Sequence, residues 1–173
     1  MHVKLIALFI PLLFVLAACS TTPTPGEETQ TPVAERQSQL TALFDRLSGD
    51  EAGAKKAAAQ AARLDATDRR FLASLWGTRS SAPQSGMRLG DALAEAGAHE
   101  EAFAWYLRTF RVLPAQDSRR PYIRYEMARA CLAMGKPDDA INLLANRLDP
   151  TPLPEDLRVK YDALLEAASK ASR

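Results

Sequence analysis

The sequence predicts an all-α protein, a helix-turn-helix repeat solenoid closed by a C-terminal capping helix. Three observations predict the helical class, and an internal repeat implies the solenoid. Apolar residues recur at helical spacing from Ala34 to the end, Gly and Pro interrupt them where turns belong, and no stretch sustains the apolar-polar alternation of a strand.

The first element is not part of that fold. A weakly basic start, His2 and Lys4, leads into an apolar run from Leu5 to Ala18, the order of a secretory signal. As a helix the run would cover roughly 21 Å against a hydrocarbon core of about 30 Å. Pro11 interrupts it, and no Lys/Arg cluster follows. Cleavage is therefore expected rather than a membrane span. The run ends in Leu16-Ala17-Ala18-Cys19, which resembles the lipobox of bacterial lipoproteins. That resemblance implies a signal peptide over residues 1–18, lipidation of Cys19 and a membrane-anchored mature chain; several acyl chains hold a protein at a bilayer where one would be marginal. Ser20, rather than Asp, after the cysteine resembles outer-membrane sorting. The expected location is the outer membrane, facing the periplasm, or the cell membrane in an organism with a single membrane.

Residues 19–33 should form a tether. Ser20 to Val33, "STTPTPGEETQTPV", has only Val33 as an apolar residue besides its prolines, too little to bury, and at about 3.1 Å per residue it reaches roughly 43 Å.

The helical domain is expected over residues 34–173. Leu40, Leu43, Phe44 and Leu47 line one face of a first helix that Gly49 ends. Asp50 should cap a second, alanine-rich helix through about Leu64, and Thr67 a short third carrying Phe71, Leu72, Leu75 and Trp76. "GTRSSAPQSG", Gly77 to Gly86, reads as loop by composition.

The second half repeats itself. Leu89, Gly90, Leu93, Gly97, Ala102, Tyr106, Thr109 and Pro114 are followed, at identical spacing, by Met127, Ala128, Cys131, Gly135, Ala140, Leu144, Arg147 and Pro152. The series resembles the tetratricopeptide repeat (TPR), a helix-turn-helix unit of about 34 residues. Residues 83–116 and 121–154 are the two copies, and the extra residues between them fall in "AQDSRRP". Neither copy has the family's early tryptophan, and Arg147 stands where a small residue is usual. Gly49, Ala54, Ala58, Ala61 and Ala66 keep the second-helix spacing, so residues 34–82 form a degenerate repeat. Leu157, Tyr161, Leu164, Leu165 and Ala168 line one side of the capping helix, residues 154–170, which shields a stack too short to be stable alone.

Charge and chemistry narrow the function. Losing Lys4 with the signal balances the basic and acidic side chains, which leaves no excess positive charge for nucleic acid. His99 is the only histidine of the mature chain and Cys131 the only cysteine besides Cys19, so the usual metal-ligand spacings do not assemble. No phosphate loop or nucleophile elbow occurs. The pairs Glu100-Glu101 and Asp138-Asp139 sit where helix dipoles favour carboxylates. No catalytic residue, metal or cofactor is assigned, and the protein is not expected to be an enzyme.

The TPR resemblance implies a groove lined by the first helices of the repeats. Ile123, Met127, Cys131 and Met134 form a stripe that should be buried, which turns Tyr122, Tyr125 and Arg129 elsewhere, beside Met87, Arg88, Asp91 and Glu95 of the preceding repeat. These seven are the expected partner-binding residues; the alternative is that the tyrosines only cover the repeat stack. Asp91 and Arg129 stand where some relatives clamp a peptide carboxylate with asparagines, so a mixed-charge partner is expected instead. The sequence thus leads to a lipid-anchored adaptor or scaffold that binds an envelope protein or peptide in a pilus, secretion or outer-membrane assembly machine. The alternatives are a cell-wall-associated enzyme or its regulator, and a structural lipoprotein that assembles with copies of itself.

Cys19→Ala should leave an unprocessed precursor without acyl chains. Palmitate labelling checks this, and equal label in wild type and variant would remove the basis for the anchor.

Overall fold

The computed structural model describes residues 32–79, 83–145 and 152–173, which form α-helices and no strand. Cys19, the signal and residues 20–31 of the tether lie outside the described residues, as does Arg147.

Helix α1, Pro32–Leu47, buries Leu40, Leu43, Phe44 and Leu47, the face predicted from their spacing. Asp50 is the N-cap of α2, Glu51–Ala62, where its side chain accepts from the Gly53 amide. Ala54, Ala57, Ala58 and Ala61 are buried on α2, and a face of methyl groups lets a neighbouring helix come close. Helix α3 is Ala66–Arg79. Its first turn is closed by Asp65, whose Oδ1 accepts from the Asp68 amide at 2.9 Å. Thr67 lies inside the helix, so the expected cap moves by two residues.

The expected loop over Gly77–Gly86 is largely helix. α3 continues to Arg79 and α4, Pro83–Glu95, starts at a proline, which a first turn tolerates because its amide would be unpaired there. The small residues that read as loop serve packing. Ser85 and Gly86 are buried, and a Cβ on Gly86 would lie 2.1 Å from Thr109 Oγ1 and 2.9 Å from the Trp76 ring. Composition registers small residues but not whether they are small for a turn or for a neighbour.

The remaining helices are α5, His99–Val112; α6, Arg120–Ala133; α7, Pro137–Ala145; and α8, Glu155–Ala171. From α4 onward each helix packs on the next, and α8 also packs on α6. α2 packs on α1 and α4, whereas α3 lies on α1. α3 also reaches α5 through an edge-to-face pair, Trp76–Trp105, with ring centroids 5.8 Å apart, and through Arg69, which donates to Glu101 at 2.7 Å.

The two predicted repeats share one turn. The Ala98 amide donates to the Leu93 carbonyl and that of Gly97 to Ala94; in the second copy Lys136 donates to Cys131 and Gly135 to Leu132. This is the Schellman pairing, which needs a left-handed residue after the helix. Gly97 and Gly135 provide it, with φ of 79° and 71°. The core runs as one cluster from α1 into α6 and a second around α6, α7 and α8. Cys131 belongs to the second, and burial pushes its thiol pKa up.

At the centre of the α4–α5 pair, a Cβ built on Gly90 would sit 2.5 Å from Cε1 of Tyr106, which is buried and held at its hydroxyl. Gly90→Ala should therefore destabilise the domain by about 1–3 kcal/mol, although alanine is worth about 1 kcal/mol more than glycine in an open helix. Urea unfolding checks the sign. A gain in stability would mean that the ring has room to move.

Candidate functional site

Gly90 admits the Tyr106 ring, and the ring carries its hydroxyl to the next residue of α4. Tyr106 donates to Asp91 Oδ1 at 2.8 Å. This bond stands at the base of a 620 Å³ cleft between α4 and α6. Carboxylates come from Asp91, Glu95 and Glu126, the one arginine is Arg129, and Ala94, Ala130, Leu132, Ala133 and Leu164 give an apolar wall.

The geometry follows from the repeat. Asp91 and Arg129 occupy equivalent positions in the two copies, so stacking the copies brings them to the same cleft from α4 and α6. Arg129 turns to its own helix and donates to Glu126 at 2.8 Å, an i, i+3 pair. Asp91 and Glu95, one turn apart on α4, have no ion-pair partner among the described residues. Desolvation raises the pKa of Asp91 most; the Tyr106 hydrogen bond opposes it, Glu95 adds to it and Arg129 opposes it. Glu126 is raised too, by desolvation first, with Arg129 opposing and Asp91 adding. Burial and the Asp91 charge push the Tyr106 hydroxyl far above its ordinary value, so it stays a donor. The cleft is therefore acidic, with one arginine on its rim, and suits a ligand that brings positive charge and some apolar surface. No group of His, Cys, Asp and Glu able to hold a metal ion occurs among the described residues.

Of the seven residues expected to form one groove, three line the cleft, and Arg88 shares a separate crevice of 250 Å³ with Asp91 and Glu95, beside Lys55. Asp91, Glu95 and Arg129 line the cleft. Met87 packs partly buried against the first core cluster, and Arg88 donates to the carbonyls of Leu47 and Gly49, closing the end of α1. Tyr122 and Tyr125 are taken up by the capping helix: Tyr122 donates to Asp156 at 3.1 Å, and Tyr125 stacks on Tyr161 with centroids 5.8 Å apart. Tyr161 in turn donates to the Pro121 carbonyl at 2.9 Å. Both tyrosines are half-buried against α8.

Tyr106, Glu126 and Leu164 were absent from the expected set. Glu126 had a signal in its i, i+3 spacing to Arg129, and Tyr106 in the contrast between its polar tip and Leu144, its counterpart in the second copy. Leu164 had none, because only the return of α8 onto α6 brings it there. His99 begins α5 and lies half-buried at the cleft. The Arg119-Arg120 loop is closed on itself. The Arg119 hydrogen bond, first of all, holds Asp117 at a pKa of about 2, and Arg120 donates to the carbonyls of Phe110 and Leu113.

No family model, curated protein or solved structure matches the chain.

Asp91 is an acid whose pKa rises on folding. Its contribution to stability is therefore greatest below its ordinary value of 3.8 and is lost as pH rises through the folded value. Asp91→Asn keeps an acceptor for Tyr106 and removes the charge. The stability of the variant minus that of wild type should be largest at neutral pH and shrink on acidification. Chemical unfolding at several pH values checks this; a difference that grows toward acid would show that Arg129, not desolvation, governs Asp91.

Proposed function

We propose that the protein is a TPR-like adaptor lipoprotein, anchored through Cys19 to the outer membrane and facing the periplasm, whose α4–α6 cleft holds a segment of an envelope protein. The observation that carries this reading is the cleft itself, where Asp91 and Glu95, with no ion-pair partner among the described residues, stand beside the apolar wall of Ala94, Ala130, Ala133 and Leu164. Like charges one turn apart cost a helix about 0.2–0.5 kcal/mol, a cost that a basic group on a partner would relieve. The paired Schellman turns and the sequential packing from α4 to α8 support the likeness to TPR proteins. Assembly of a pilus, a secretion system or outer-membrane proteins is the setting for such an adaptor, by analogy of fold alone.

The partner class is narrower than the mixed-charge one expected from sequence. The cleft favours a segment carrying Lys or Arg next to small apolar side chains, with Arg129 accepting at most one carboxylate by leaving Glu126. A basic side chain placed against Asp91 would offset the desolvation that raises the pKa of that carboxyl.

A photo-crosslinking residue at Ala133, exposed on the cleft, should capture a defined envelope protein in cells, whereas one at the exposed Lys170 of α8 should not. Glu95→Lys should weaken that capture. The loss should be about thirtyfold in affinity, or about 2 kcal/mol, if the residue is an anchor, and should soften in high salt. Capture that is equal at both sites, or unchanged by Glu95→Lys, would remove the cleft from the function.

A further inference from the structure

A second surface carries the opposite charge. α3 and α5 enclose a crevice of 240 Å³ lined by Arg69, Arg70 and Arg108, with Glu101 the only acid and Trp105 beneath. Glu101 is already paired with Arg69. Arg70 and Arg108 are exposed and have no carboxylate partner among the described residues; Arg108 lies over the Trp105 ring, 5.3 Å from its centroid. On α5, Ala104 and Arg108 line the crevice, and Arg111 follows on the same helical stripe at i+7 from Ala104. Asp91, Glu95 and Glu126 meet at the α4–α6 cleft, whereas these arginines stand at the α3–α5 face.

We propose that the α3–α5 face, through Arg70, Arg108 and Arg111, binds the phosphate headgroups of anionic lipids and lays the domain on the bilayer that anchors it. Guanidinium matches phosphate by two parallel hydrogen bonds. The occupant is chosen by charge and by reach, and the second of these rests on the anchor of the preceding reading. Between Cys19 and Pro32 the chain spans at most roughly 40 Å at about 3.1 Å per residue, so an anchored domain meets headgroups at a high effective concentration. With this face down, the α4–α6 cleft belongs to a different surface and stays available to a partner.

The protein has two tryptophans, Trp76 and Trp105, and both lie under this face. Their fluorescence is therefore a label already in place. The acylated protein is reconstituted in vesicles that carry a headgroup nitroxide quencher, made of phosphatidylcholine alone or mixed with phosphatidylglycerol. Quenching should appear in the mixed vesicles only. It should vanish as salt is raised from about 0.1 to 1 M, where the screening length falls from about 10 to 3 Å. It should also fall at least about tenfold in Arg70→Glu/Arg108→Glu, whose helicity is checked by circular dichroism. Equal quenching in both lipids, or quenching that survives the double variant, would mean that the tether alone sets the distance and would overturn the proposal. Absence of quenching in protein that floats with the vesicles would overturn it as well. Protein that fails to float with neutral vesicles would instead refute the anchor. The same quenching measured on mixed vesicles then still decides for or against the face.

Discussion

The contact of Tyr106 with Gly90 is the constraint on which the rest of the molecule depends. A helix carrying any side chain at position 90 would hold α5 away, since even a methyl group would meet the ring at 2.5 Å. Because the helices close, Tyr106 is buried to 1% exposure while its hydroxyl still emerges at Asp91 on the far side of the contact. Gly86, one turn earlier on α4, repeats the device against Thr109 and Trp76. Thr109 tolerates full burial because its hydroxyl donates to the Trp105 carbonyl of its own helix. One hydrogen-bonded, close-packed seam thus joins α3, α4 and α5, and the α4–α6 cleft lies along its edge.

The cleft arises where the two copies of the repeat differ. Their turns are the same, yet Gly90, Tyr106 and Asp91 correspond to Ala128, Leu144 and Arg129. The second copy packs an apolar pair where the first packs a glycine and a tyrosine, so only the first sends a hydroxyl to its groove. The exchange of Asp for Arg gives the two walls of the cleft opposite charges. Arg129 then spends much of its charge on Glu126, and the cleft remains acidic.

The elements outside the repeat decide which parts of the surface stay open. α8 lies on α6 and α7 and occupies Tyr122 and Tyr125, which would otherwise be broad aromatic anchors, and it leaves Leu164 at the edge of the cleft. α3 lies on α1, and its arginines meet those of α5. A chain whose net charge is only +1 thereby shows an acidic cleft in one place and a basic crevice in another. Both are products of the order in which helices stack.

Local sequence by itself determined the helices with strong periodicity, their apolar faces and the two turns: Leu40 to Leu47, the Ile123 to Cys131 stripe, and Gly97 and Gly135 all stand as their spacing required, because helical phase and left-handed backbone are set within a few residues. It also determined which residue types were available for a site, Asp91, Glu95 and Arg129 among them. Tertiary structure decided what each was for. "PQSG", Pro83 to Gly86, is helix rather than loop, and its Ser85 and Gly86 are buried where Trp76 and Thr109, from other helices, press on Gly86. Arg88 closes α1 and Tyr125 stacks on α8 because those partners arrive from other parts of the chain. Tyr106 became a groove residue through contact with a helix whose separation no local pattern records. Periodicity fixes the direction of a side chain from its own axis, whereas a cleft depends on the distance between two axes, and that distance is set only when the side chains between them meet.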